Sequence, residues 1–572
     1  MVDIFITERV LKQTFSDGVA DQITKFTESF VRLKSNFDSS ICIQTALVSS
    51  RTFDRIETIG SLILHTLIGY IIDMHSSKAR QQYLSILQPA AMNRYGRSVC
   101  LPGTRVDIMN LVTDWVINGP GDRNILWLRG VAGSGKSCLS TTLANLFEAT
   151  NRLGAFLFFN RNVAEQSDPG LVIRTLAFKL ATFDPRIGNI ISALIENHTA
   201  IADSDIHFQF NKLLVEPVKS LGDLQSEGPI VIVLDALDEC GSIEHRAALL
   251  RVLAAESANL PSFLRIIITS RPESDIHRYF DEQSNILSYR LDINSEDTRK
   301  DIELYIRHRM TDVVAKNKLL RLSNDWPHER IYTLIERASG LFIWASTACK
   351  FIDAYDPEQR LSVLLQGNVM SNAESALDKL YVTALESAGE WTDTCFSADF
   401  RALMGAVLVA KNPLTVAALS KLLTFNQPPM HIISRLGCVL YTDTNIRILH
   451  PSFTDFLSNR ARCGHDVWFI DLAYHNFRVA VQCLDHLDAS LRHNICDLKL
   501  SQTPEGVSLA EGVSYACIFW VEHVCAIKDA TSIADRLETF LFKHLLHWFE
   551  AMGILKRSRD TIGMLSHWHT VS

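Results

Sequence analysis

The sequence predicts a multidomain chain, α/β over residues 120–291 and α-helical on either side, and three observations predict it. Its 572 residues exceed what one domain of about 150 residues holds, so two to four units are expected. Hydrophobic residues at 47% and charged residues at 21% give each unit material for a core and exclude wholesale disorder. Between residues 120 and 291, short apolar runs alternate with amphipathic stretches, the pattern of a parallel sheet wrapped in helices.

In chain order, residues 1–98 read as an N-terminal helical region, with Ile23, Phe26, Phe30, Leu33 and Phe37 at steps of three and four. The apolar stretch Ile59–Ile72 carries His65 and is flanked by acids. At about fourteen residues it is short of the ~20 a membrane span needs, so a buried helix and no transmembrane segment are expected. A breaker at Cys100–Thr104 opens the next unit, 99–291, where Ile108, Leu111, Val112 and Trp115 share a helix face. Its strands are expected at Ile125–Arg129, Gly154–Asn160, Ile230–Leu234, Leu264–Thr269 and Ile286–Leu291. Four lack alternation, as strands buried on both faces do; the last, with Ser288 and Arg290 outward, fits an edge.

Helices at Asp301–Met310, His328–Ala338 and Leu341–Phe351 form a small lid-like domain, 292–375. In 376–462, Pro413-Leu414-Thr415 opens a helix, and Cys438–Tyr441 and Ile446–Leu449 make two short strands around Thr442–Asn445, which suggests a winged helix. Residues 463–572 read as a final helical domain, broken near Thr503–Gly506.

A net charge of −8 argues against a protein that coats a polyanion. The twelve cysteines are never closer than the eight-residue step from Cys517 to Cys525, which excludes CxxC motifs. With Asp3, Glu8 and Arg9 breaking the apolar residues near Met1, no secretory leader is expected. The cysteines then read as reduced thiols of an intracellular, cytoplasmic protein.

The chemistry concentrates in three places. Gly130-Val131-Ala132-Gly133-Ser134-Gly135-Lys136-Ser137 fits GxxxxGK[ST], between a buried strand and a helix start. Glycines there turn backbone N–H groups around phosphate oxygens, Lys136 reaches the β and γ phosphates, and the Ser137 hydroxyl is a Mg²⁺ ligand. The apolar run from Ile230 ends in Asp235, at the carboxyl edge of the sheet, where a carboxylate serves Mg²⁺. Three acids within five residues repel one another without a cation, which favours that role; Glu239 or Asp238 is then the candidate to polarise water. Leu264–Thr269 runs into Ser270-Arg271-Pro272, where Arg271 can meet a γ-phosphate. Strand caps and surface ion pairs are the plain alternatives for the acids and for Arg271.

Glycine loop, Asp-Ala-Leu-Asp-Glu after one apolar strand and Thr-Ser-Arg-Pro after the next together resemble the NACHT branch of the STAND signal-transduction ATPases. Ala236 between Asp235 and Leu237, with the paired acids Asp238 and Glu239, is the feature nearest to NACHT. Cys100–Arg105, Asp168-Pro169, Gly340–Ala345, His450–Phe453, Asn494–Cys496 and His544–Trp548 look like fungal members that carry a NACHT module before WD-repeat propellers. Cys138 stands where a threonine is common, near the α-phosphate, and no propeller is expected before Ser572.

The resemblance implies an ATP/ADP switch with Mg²⁺: ADP holds the module closed, ATP lets it open and self-associate, and hydrolysis is slow. It also implies that His450 contacts the ADP β-phosphate and that the region of Arg105 and Trp115 covers the adenine. A core histidine and ordinary packing are the alternatives. A rival reading is a P-loop ATPase acting on nucleic acid through its winged helix, against which stand the acidic balance and the lack of a basic stretch at 411–424. Another is a scaffold that binds nucleotide without hydrolysing it.

Overall fold

In the computed structural model the described residues are 24–25, 27–29, 31, 80–92, 94, 97–281, 283–316, 328–354, 356–366, 372–464, 467–497, 508–527 and 530–571. The chain divides into two units, Met1–Gln82 and Tyr83–Ser572. In the first, the described positions between 24 and 31 are helical, and Ile59–Ile72 lies outside the described residues.

Five parallel strands form in the expected places: β1 (Ile125–Arg129), β2 (Leu153–Phe158), β3 (Ile230–Asp235), β4 (Leu264–Ser270) and β5 (Ile286–Arg290), in the order β2-β3-β4-β1-β5. The absence of alternation has its reason in two apolar cores. Ile125 and Trp127 of β1 face one of them, and Leu126 and Leu128 face the other. On the latter side lie α1 (Val106–Asn118) and α2 (Lys136–Ala149), through Val112, Val116, Leu139 and Leu143; on the opposite side lie α3 (Val172–Phe183) and α4 (Ile243–Ala255). β5 is an edge strand, half-buried from Leu287 to Tyr289, as its Ser288 and Arg290 suggest.

Leu84 and Leu87, grouped by sequence with the N-terminal helical region, join the cluster beneath α3, and the helix there ends at Ser85, so the described residues from 88 to 98 are not helical. Periodicity gives a helix its apolar face but does not say which surface takes it.

Beyond the sheet come α5 (Glu296–Lys316), α6 (Phe342–Ile352), α7 (Thr394–Val409) and α8 (Val416–Leu422). The hairpin β6 (Leu440–Thr442) and β7 (Ile446–Ile448) follows, and then α9 (Pro451–Leu457), α10 (Leu472–Ser490), α11 (Glu511–Cys525) and α12 (Ala534–Ile554). β6 and β7 pair antiparallel, Leu440 opposite Ile448, and Ile446 N–H donates to Leu414 O (3.0 Å), tying the hairpin to the start of α8. Thr415 caps α8 by accepting the Ala418 N–H (3.1 Å). One apolar cluster runs from Ile302 of α5 to Met552 of α12, so the three helical regions after residue 291 share a core. Among the described residues, no helix is long and apolar enough to cross a membrane.

Candidate functional site: a phosphate cradle at the carboxyl edge of the sheet

β1 ends at Arg129 and the chain turns through Gly130–Gly135 into α2. Gly133 (φ +77°) and Gly135 (φ +91°) hold the left-handed backbone that a side chain resists, and a Cβ on Gly133 would lie 2.0 Å from Ile343 Cγ2. The Lys136 ammonium folds across its own loop, donating to Gly130 O (2.7 Å) and Val131 O (2.9 Å). Burial pulls its pKa down to about 8, against the pull of Asp238. Ser137, the first-turn hydroxyl of α2, is exposed; Val131 is exposed and Ala132 and Cys138 are half-buried. Burial pushes the Cys138 thiol up to about 12, so it is a packing group and not a nucleophile. Ser134 Oγ is buried without a partner among the described residues, and a Cβ on Gly130 would come within 2.8 Å of it.

Asp235, at the end of β3, is 1% exposed. Its Oδ1 accepts from Thr269 Oγ1 (2.7 Å) and Ser140 Oγ (3.0 Å). Its Oδ2 is held by the Arg97 guanidinium, which also lies over the Phe158 ring (4.3 Å). The carboxylate expected to serve Mg²⁺ thus already has a cation beside it, and sequence reasoning missed that arginine. Its only local signal is its place three residues before Cys100. Thr269 also accepts the N–H of Ala236 (3.0 Å), which sits at φ +61°, so the turn after β3 is pinned to β4.

The two candidate acids separate. Asp238 Oδ1 accepts the Arg271 backbone N–H (2.9 Å) and Oδ2 pairs with the Arg271 side chain (3.3 Å), so Asp238 positions Arg271. Glu239 is freer; the Arg161 N–H lies 3.5 Å from its Oε2. Burial raises its pKa to about 7, with Arg161 opposing. Glu239 is therefore the better placed of the two to exchange a proton near neutral pH.

Arg271 reaches away from the sheet to Asp455 Oδ2 of α9 (2.8 Å), and Asp455 Oδ1 accepts from Arg161 (3.1 Å). At the start of the same helix, His450 Nδ1 accepts the Ser452 N–H (3.2 Å) and lies 2.7 Å from Ser452 Oγ, which bonds Tyr381 OH (2.8 Å). Burial, then the charges of Arg271 and Lys136, push the His450 ring down to about 3, so it is neutral and near the cradle's cations. With Nδ1 accepting, the proton sits on Nε2, which has no partner among the described residues.

Two residues expected over the adenine are placed otherwise. Arg105 is 5% exposed and committed to protein: it donates to Ser134 O (2.7 Å) and Thr298 Oγ1 (3.0 Å) and lies over the Phe342 ring (4.8 Å). It fastens the loop to α5 and α6, a role its 193-residue separation from Thr298 hides from any sequence window. Trp115 is 4% exposed, packed against the sheet with the Arg265 guanidinium over its ring (5.2 Å). At the other end of the cradle Ile343 N–H donates to Gly133 O (3.1 Å), so α6 caps the loop.

Residues 109–271 match the family model described as Nephrocystin 3, N-terminal. The chain is also 23% identical over 490 residues to the vegetative incompatibility protein HET-E-1 of Podospora anserina, covering 78% of this chain. The chain spans 34% of that protein's length. The sheet order and the loop show a P-loop NTPase fold, and the matches support its likeness to the NACHT/STAND NTPases. Among solved structures, a STAND protein with a tetratricopeptide repeat sensor from Pyrococcus horikoshii is 11% identical and covers 82% of this chain and 56% of its own, with a TM-score of 0.43. Cdc6p from Pyrobaculum aerophilum is 12% identical, covers 67% of this chain and 97% of its own, and scores 0.28.

The loop's residues fit a nucleoside phosphate: two left-handed glycines, a lysine held by carbonyls that phosphate oxygens can replace, and a serine hydroxyl with no partner among the described residues. They fit Mg²⁺ through the exposed Ser137 and through Asp235 once Arg97 yields its Oδ2.

Proposed function

We propose that the chain is an ATP/ADP switch: nucleotide binding and slow ATP hydrolysis at residues 130–137, 235, 239 and 271 are coupled to domain opening and to self-association in signalling. The observation that carries the reading is that α9, from the helical half, brings His450 and Asp455 to the edge where the phosphate loop, Glu239 and Arg271 meet. A switch needs such a contact, because a ligand shifts an equilibrium only by what it touches differently in the two states. Region 376–462 acts as the winged helix that makes this contact, and 292–375 acts as the lid through α6.

Bound Mg²⁺ would supply charge neutralisation for the phosphates, held through Ser137 and Asp235. Lys136 exchanges its loop carbonyls for phosphate oxygens, Glu239 accepts a proton from water, and the His450 Nε2–H donates to the β-phosphate. Arg271 answers to the terminal phosphate. Turnover is slow in this reading because Arg271 is already engaged by Asp455. α8 carries one basic residue, Lys421, so the reading includes no nucleic acid. An intracellular, cytoplasmic setting belongs to it.

Calorimetry with ATP and ADP, with and without Mg²⁺, tests this. Lys136→Ala is expected to weaken binding about ten- to a hundredfold, the worth of charge-assisted hydrogen bonds. Equal binding by parent and variant overturns the site.

A further inference from the structure

We propose that Asp455 sets the nucleotide preference of the site by competing with the terminal phosphate of ATP for Arg271; this rests on the switch reading above. One carboxylate is divided between two arginines of the sheet edge, Oδ2 on Arg271 (2.8 Å) and Oδ1 on Arg161 (3.1 Å). The three side chains are 23%, 19% and 36% exposed for Asp455, Arg271 and Arg161, so salt and water screen the cluster only in part.

Arg271 follows β4, next to the strand that feeds the phosphate loop, and its charge is felt at both Lys136 and His450. Asp238 fixes its backbone and the Nε edge of its guanidinium, and Nη1 is given to a second carboxylate. In this structure that carboxylate is Asp455. A γ-phosphate offers more charge and more acceptor oxygens to the same guanidinium. ADP lacks that group and leaves Asp455 in place.

ATP therefore binds at the cost of the Arg271–Asp455 contact, and ADP binds without that cost. The closed arrangement discriminates against ATP through a carboxylate that need not touch nucleotide. Arg161 sharpens the device: it keeps Asp455 at the sheet edge without itself belonging to the phosphate machinery. The partner of α9 is thus chosen by which anion Arg271 holds.

The test uses the full chain and measures the ratio of ATP to ADP affinity by fluorescent-nucleotide competition in Mg²⁺. Asp455→Asn keeps shape and removes charge; it is expected to tighten ATP about tenfold while moving ADP little. Arg161→Gln is expected to move the ratio in the same direction by about threefold, since half of the grip remains. In the double variant Asp455→Asn/Arg271→Gln the gain disappears, because the two residues act on one interaction. An unchanged ratio in folded Asp455→Asn, or in folded Arg161→Gln should the first variant fail to fold, overturns the proposal and leaves a bare ion pair. A parent chain that binds neither nucleotide fails the switch reading itself, which is a separate result from an unchanged ratio.

Discussion

His450 and His523 lie in different regions of the helical half, and burial pushes each ring down to about 3. Their partners differ. His523, inside α11, has Nδ1 3.0 Å from Asn476 Oδ1 and Nε2 2.7 Å from Tyr515 OH. The asparagine oxygen can only accept, so Nδ1 carries the proton and Nε2 accepts from the tyrosine. Tyr515 in turn accepts the Lys411 N–H (3.1 Å), which closes a buried chain of satisfied groups. His450 has Nδ1 filled by its own helix cap, and its Nε2 donor has no partner among the described residues. A depressed pKa is common to both; the unused donor is what separates a candidate ligand from a structural histidine.

The largest effect expected is at the edge itself. Glu239→Gln keeps nucleotide binding and lowers turnover by about 10²–10⁴, the range for a general base, in single-turnover assays. Asp238→Asn abolishing turnover while Glu239→Gln leaves it intact would reverse that assignment. Next is His523→Ala, which strands Tyr515 and Asn476 and opens space in the core. It is expected to lose about 2–4 kcal/mol in urea denaturation with the ADP off-rate unchanged. His450→Ala is the mirror case: about 1 kcal/mol of stability from the lost cap, but ADP release faster by about ten- to a hundredfold. Parallel behaviour of the two variants would break the comparison.

What was legible beforehand follows the range of the interactions. The five strands were legible because burial on two faces writes an uninterrupted apolar run, and the cradle because its glycines, Lys136 and Ser137 are contiguous. Asp235 and Arg271 were legible as strand ends. The use made of them was not: Arg271 meets Asp455 across 184 residues and Asp235 meets Arg97 across 138. Neither partner carries a local pattern. Arg105 and Trp115 lie beside the right loop yet point into protein, since proximity in sequence does not fix the direction of a side chain. His450 was picked through resemblance, and only the tautomer imposed by Ser452 gives it a donor to offer.

The smallest effect is on pH dependence, where the two histidines should behave alike without nucleotide. Each ring stays neutral in the fold down to about 3, whereas the unfolded chain takes up a proton below about 6.5. The unfolded state then binds more protons, so stability present above pH 6.5 is lost as pH falls through 6 and 5, by at most about 1.4 kcal/mol per unit for His523. His475, pushed down to about 4, adds the same sign. Glu239 opposes: its carboxyl, raised to about 7, binds its proton in the fold before the unfolded chain does, so acidification from 7 toward 4.5 strengthens the fold through it. His486 and the lowered carboxyls of Asp184 and Asp275 act with the histidines, Asp301 acts with Glu239, and the larger set leaves a net loss on acidification. His523→Gln and His450→Gln should each flatten the slope of unfolding free energy between pH 6.5 and 5 in urea titrations. If only His523→Gln does so, His450 is protonated more easily than its surroundings require, and its neutral donor, with the contrast built on it, is lost.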